Sequence, residues 1–178
     1  MLIGIYSPAP QSGKSTVATR LIQRHNFVSL PMAGTLKGMV AVLLEDLGID
    51  DYYLHTGDKS RVIYNGKTVR ELLQTLGTEW GRNIVGRDLW ADVWRGKVKR
   101  LRYNHHIVCD DVRFENEAHM IMELGGIMLR VIRPDAATTI AHASEGGLDN
   151  FPFTATIRNE GTVEDLHAKV DRLMENYK

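Results

Sequence analysis

Two hydrophobic periods alternate along the chain. Leu2-Ile3-Gly4-Ile5-Tyr6 is a short apolar run that meets a loop rich in Pro, Ser and Gly, after which Val17, Ala18, Leu21, Ile22 and His25 recur at helical spacing. Strand, loop and helix follow one another. Residues 27–30 form a second short strand, and Leu36, Met39, Val40, Leu43, Leu44 and Leu47 mark an amphipathic helix that Gly48 stops. Residues 50–68 read as polar and irregular. Helical period returns over 69–82 and again over 89–101, where Trp90, Val93, Trp94 and Val98 are apolar. A buried-strand run over 105–109 ends in Asp110-Asp111, followed by a helix from about 115 to 124 and a strand over 127–132 that Pro134 breaks. After a loop of small residues comes a last strand over 154–158. Thr162-Val163-Glu164-Asp165 then has the form of a capping box opening a helix whose inner stripe is Val163, Leu166, Val170, Leu173 and Met174. Short β-branched runs alternating with helices require crossover connections, hence a mostly parallel sheet of about five strands covered on both faces. The expectation is a three-layer α/β fold in one continuous domain.

Composition narrows the function. With 178 residues, 22 Lys plus Arg against 22 Asp plus Glu, and 43% hydrophobic residues, the chain has ordinary globular composition and no net charge. A neutral protein has no global field for coating nucleic acid or adhering to an anionic membrane, so any phosphate it binds must be held locally. One cysteine, Cys109, allows no internal disulfide and no multi-cysteine zinc site. The chain reads as cytoplasmic, without signal peptide or membrane span.

The strongest local signal is Gln11-Ser12-Gly13-Lys14-Ser15-Thr16, because it lies between an expected strand and an expected helix, the setting of a phosphate-binding loop. Backbone N–H groups and the helix start attract an anion, Lys14 adds a point charge, and Ser15 offers a hydroxyl to magnesium. The full pattern would place glycine at position 8, where Pro8 stands. Such a site also needs an acidic residue at a neighbouring strand end. Asp110 and Asp111 are placed for it, on opposite faces of the strand, and sequence leaves open which of them serves the metal. Asp110 is the candidate metal ligand beside Ser15.

Residues 66–82, wound at about 100° per residue, turn Val69, Leu72, Leu73, Leu76 and Trp80 toward the core. Arg70, Gln74, Gly77 and Gly81 then share a separate arc of roughly 60°, combining a cation, an amide and two positions without side chains. That arc is the expected ligand face, the glycines leaving room for a flat ligand. Arg113, Arg130 and Arg133 supply further positive charge near strand ends, as phosphoryl transfer between two anions demands.

Four blocks carry a family resemblance: residues 12–16, residues 66–82, residues 111–117 and the His142-Ala143-Ser144-Glu145 segment. Over nearly its whole length the chain resembles the deoxynucleoside monophosphate kinases of tailed bacteriophages, within the P-loop nucleoside monophosphate kinase group. The resemblance implies a P-loop fold with a helical acceptor-binding insertion at about 50–100 and a lid at about 133–154. It implies transfer of the γ-phosphate of ATP, with magnesium, to a deoxynucleoside monophosphate. ATP would be held by Gln11, Ser12, Gly13, Lys14, Ser15 and Thr16, with Asn159 and Gly161 in an adenine-contacting loop. The acceptor would meet Lys37, Arg70, Gln74, Trp80, Arg82 and Glu115, while Lys14, Asp111, Arg113 and Arg133 would lie by the reacting phosphates. The partners implied are small molecules, with no direct nucleic-acid binding, no membrane, and a homodimer; the setting is the host cytoplasm. The rival readings are another small-molecule P-loop kinase, such as a dephospho-coenzyme A kinase, and a nucleotide-binding switch that transfers no phosphate.

Overall fold

The computed structural model describes residues 1–55, 60–134 and 147–177. In chain order its elements are β1 (Leu2–Tyr6), α1 (Lys14–His25), β2 (Phe27–Ser29), α2 (Gly34–Asp46), α3 (Tyr52–His55), β3 (Val62–Tyr64), β4 (Lys67–Thr68) and α4 (Val69–Gln74). A π-helical stretch, Thr75–Val85, continues from α4. Then come α5 (Leu89–Leu101), β5 (His106–Cys109), α6 (Glu115–Glu123), β6 (Ile127–Ile132), β7 (Ala155–Arg158) and α7 (Val163–Glu175). The contacts divide the chain into two compact units, Met1–Pro31 with Lys97–Lys178, and Met32–Gly96.

In the first unit five strands form a sheet of order β2-β5-β1-β6-β7, paired in parallel throughout. The register Leu2↔Ile107, Tyr6↔Arg130 and Ile132↔Arg158 aligns the carboxyl ends of β1, β5, β6 and β7 along one edge. Alternation along β1 explains the layers. Ile3 and Ile5 join Val17, Leu21, Leu166, Val170 and Met174 in the core beneath α1 and α7. Gly4 faces the other way, where a Cβ would lie 2.5 Å from Met128 Sδ and 2.7 Å from Ile121 Cδ1. The absent side chain leaves room there for the ends of Met128, from β6, and Ile121, from α6. The capping box at Thr162 forms as expected, its hydroxyl accepting from the Asp165 N–H at 3.2 Å while the Asp165 carboxylate accepts from the Thr162 N–H at 2.9 Å. Val163, expected on the inner stripe of α7, is exposed. In the first helical turn it points past the core that Leu166 enters three residues later.

The second unit is built around Val40, Leu44, Leu54 and Val69, with Leu72, Leu73 and Leu76 packed against them. The expected α2 stripe is split: Val40 and Leu44 are buried, whereas Met39, Leu43 and Leu47 are exposed, as is Val42 beside them. The segment expected to be irregular contains α3 and an antiparallel β3–β4 hairpin, in which Tyr64 pairs with Lys67 across Asn65-Gly66. Both turn residues have positive φ, 45° and 73°, the requirement of a two-residue hairpin turn. Thr68 and Glu71 form a second reciprocal capping box that starts α4.

Beyond Gln74 the winding departs from the expectation. Hydrogen bonds of the i→i+5 type, such as Gly86 N–H to Gly81 O at 3.0 Å, widen each turn, so an arc drawn at α-helical spacing does not extend past Thr75. Trp80 is consequently 40% exposed instead of facing the core. Gly77 and Gly81 do not leave open space either. A Cβ on Gly81 would lie 2.5–2.7 Å from the indole of Trp90, and one on Gly77 would lie 3.0 Å from Leu36 Cδ2. Trp90 Nε1–H donates to Gly77 O at 2.7 Å, so the space beside Gly81 is filled by an indole of the protein's own and that beside Gly77 by Leu36.

Candidate active site

The loop after β1 is shaped by its own residues. Ser7 Oγ accepts from the Ala9 N–H at 3.3 Å and donates to Ala9 O at 3.1 Å, closing a short turn around Pro8. Proline, which has no N–H to satisfy, is accommodated there without the glycine of the full pattern. Gln11 (φ 55°) and Gly13 (φ 103°) are both left-handed, and the chain then enters α1. No side chain caps α1 and no acidic residue occupies its first turn. The orphan N–H groups and the positive dipole end are therefore left for an anion.

Because the strands are parallel, other side chains reach the same edge of the first unit. A cleft of about 440 Å³ is lined by Gln11, Ser12, Gly13, Lys14, Ser15, Thr16, Arg133, Asn159, Gly161, Thr162, Val163 and Leu166. Its size suits a nucleotide, and its placement at the carboxyl ends of parallel strands is where open α/β sheets bind ligands. Nine candidate residues thus meet in one place. Arg133 arrives from the end of β6 and Asn159 from the end of β7.

Asp110 follows β5 and hydrogen-bonds the Ser15 side chain. Burial raises its pKa first, the charge of Asp111 raises it further, and Ser15 and Lys14 pull in the opposite direction. Asp111 has a different partner, accepting from Cys109 Sγ at 3.2 Å. That geometry sets Asp110, rather than Asp111, beside the hydroxyl of the phosphate loop. A carboxylate and a hydroxyl side by side, the carboxylate pressed by a like charge, form a hard oxygen donor set that suits a divalent cation. The Cys109 thiol is buried, and burial together with Asp111 holds its pKa well above the usual value.

Asp111, Arg113 and Glu115 lie outside the cleft lining, on the β5–α6 connection and the first turn of α6. Arg113 and Glu115 are exposed. Glu117, which sequence reading gave no role, is only 5% exposed, and its Oε2 accepts from the Arg113 N–H at 2.9 Å and the Phe114 N–H at 3.1 Å. It fixes the backbone that carries Arg113. In the second unit, Arg70 and Trp80 are exposed, while Lys37, Gln74 and Arg82 are partly buried. The His142–Glu145 block and residues 135–146 of the expected lid fall outside the described residues.

The segment after position 146 returns to the core through Leu148 and Phe151. Asp149 accepts from Tyr6 Oη at 3.0 Å, and Arg130 Nη1 donates to Asp149 O at 3.2 Å. Tyr6 also stacks on Phe153, with ring centroids 5.5 Å apart. Burial, then the hydrogen bond and charge of Asp149, push the phenol pKa up to about 12.

A left-handed glycine opening a helix beside strand-end acidic groups on a parallel sheet is the arrangement of P-loop kinases, enzymes that transfer phosphoryl groups from ATP with a divalent metal. The fold agrees: the dephospho-CoA kinase of Campylobacter jejuni superposes with a TM-score of 0.54 at 14% identity, covering 99% of this chain and 96% of that one. The family model described as Deoxynucleotide monophosphate kinase matches residues 49–170, more than half of the sequence, and the chain belongs to that family. A relative in Acanthamoeba polyphaga mimivirus is 29% identical over 99% of this chain and 97% of its own length. The deoxynucleotide monophosphate kinases of Escherichia phage RB69 and Enterobacteria phage T4 are 27% and 28% identical over 60% and 58% of this chain. Those alignments span 45% and 44% of the two phage proteins, so less than half of each. Among the described residues no helix is long and apolar enough to cross a membrane.

Proposed function

We propose that this protein transfers the γ-phosphate of ATP to the 5′-phosphate of a deoxynucleoside monophosphate, releasing ADP and a deoxynucleoside diphosphate. The observation that carries the reading is the Ser15–Asp110 pair set against Lys14 on the sheet edge that also forms the cleft. In this reading the loop amides and Lys14 hold the β- and γ-phosphates, and Arg133 balances charge as the phosphoryl group leaves. Ser15 and Asp110 would hold magnesium, which when bound with the triphosphate shields the charge on the transferring oxygens. Asp111 and Arg113 stand by the reacting phosphates, Arg113 on a backbone pinned by Glu117.

The acceptor oxygen is already anionic, so alignment matters more than a strong base. Arg70 and Arg82 suit its phosphate, Gln74 and Trp80 its base, and Lys37 and Glu115 complete the acceptor set. The whole chain then acts as one kinase domain, with the acceptor insertion at about 50–100 and the lid at about 133–154. It works on free nucleotides in the host cytoplasm and pairs as a homodimer, for which the exposed Met39, Val42, Leu43 and Leu47 offer an apolar contact.

The test is coupled ADP release with each deoxynucleoside monophosphate in turn, with and without magnesium, in wild type and Lys14→Ala. Turnover with at least one acceptor, lost by orders of magnitude in the folded variant, is expected. Absence of ADP with every acceptor overturns the reading.

A further inference from the structure

Asn159 meets the phosphate loop in a way that a base-reading role does not require. Its Nδ2 donates to Ser12 O at 2.9 Å, across 147 positions of chain. Its own N–H continues the β6–β7 ladder by donating to Ile132 O at 2.7 Å, so the side chain is rooted in the sheet. Ser12 is 1% exposed, which leaves its carbonyl little recourse to water. The amide also covers Gly13, where a Cβ would lie 2.7 Å from Nδ2. Glycine is thus required at position 13 twice, by its φ of 103° and by this contact.

The consequence follows from the planarity of the peptide bond. Ser12 C=O and Gly13 N–H belong to one trans peptide group and point in opposite directions. Whatever holds the carbonyl also aims the N–H. We infer that Asn159 is a positioning residue of the phosphate loop, which by gripping Ser12 O turns the Gly13 amide toward the triphosphate. This deepens the reading above and rests on it to the extent that the cleft takes a nucleoside triphosphate.

The test compares wild type, Asn159→Ala and the near-isosteric Asn159→Asp, which keeps the size but offers the carbonyl no donor at neutral pH. Equilibrium binding is measured by calorimetry with two probes, ATP and inorganic tripolyphosphate, each with magnesium, alongside thermal melting without ligand. Losing the aim of one charge-assisted amide predicts about tenfold weaker binding. The loss should be equal for both probes, with the ligand-free melting temperature kept and the acceptor KM unchanged. A loss confined to ATP would assign Asn159 to the adenine and overturn the inference, as would unaltered binding of both probes. Unfolding of both variants would overturn it too, making the contact one of stability alone. Should wild type bind both probes yet phosphorylate no monophosphate, the acceptor reading fails while the loop clamp is still decided.

Discussion

Replacing Gly81 by alanine separates two roles for the glycines of the π-helical stretch. If they make room for a ligand, a methyl group should obstruct the acceptor and spare the fold. The structure gives the space to Trp90 instead. A Cβ on Gly81 would sit 2.5 Å from Nε1 and 2.6 Å from Cζ2 of an indole that is itself 8% exposed, so the ring cannot swing into solvent. Overpacking of this kind costs about 1–3 kcal/mol. Displacing the ring also strains the 2.7 Å bond from Trp90 to Gly77 O, worth about 1 kcal/mol. Alanine returns up to about 1 kcal/mol of helix propensity. The net is a destabilisation of about 2 kcal/mol, or about 4–8 °C in melting temperature for a chain of this size. Gly77→Ala is the matched control. Its Cβ would meet only the movable end of Leu36 at 3.0 Å, so propensity and crowding nearly cancel, within about 0.5 kcal/mol. Thermal unfolding followed by circular dichroism reads both variants, and steady-state kinetics reads the acceptor KM at a temperature where both are folded. A Gly81→Ala protein that melts with wild type while its acceptor KM rises would refute the packing account and restore the ligand one.

Two further outcomes follow from the first unit. The Tyr6 phenol, held protonated by burial and by Asp149 to about 12, keeps its proton in the native state when the unfolded chain has released one near 10. Its contribution to stability is therefore complete below pH 10 and disappears as pH rises through 12. Tyr6→Phe should flatten the alkaline fall in denaturant midpoint across that window, and an unchanged fall would show that Tyr6 does not cause it. Asp110→Asn should leave the fold intact and lower turnover on the order of 10²-fold, the scale of losing one charge-stabilising group. It should also raise the magnesium concentration at half-maximal rate; a wild-type magnesium profile would remove Asp110 from the metal.

The parts legible from sequence are those written in local signals. Gly13-Lys14-Ser15 between a strand and a helix, the Thr162–Asp165 cap and the strand over 127–132 each carry period and punctuation within a few residues, and the structure has all three. The Asn65-Gly66 hairpin had its turn signal in view, but flanking strands of three and two residues are too short to show alternation. The π-helical stretch left no such mark. Its apolar residues fit α-helical spacing well enough to put Trp80 in the core, and only the i→i+5 bonds reveal otherwise. Glu117 reads as one more acid in a helix's first turn, where acids are common and solvated. Its burial against two amides is a property of the β5–α6 connection in space. The same holds for Asn159, whose hydrogen bond spans most of the chain, and for the choice of Asp110 over Asp111 as the neighbour of Ser15, which alternation alone left open.

Cys109 carries a practical consequence of its place in β5. It is the chain's single thiol, buried in a central strand and kept protonated beside Asp111. Alkylating reagents need a solvent-facing thiolate, so they can reach it only in molecules whose packing around this side chain has transiently opened. The rate of its modification under native conditions is therefore a built-in clock for opening of the packing around β5, readable by mass spectrometry without introducing any label.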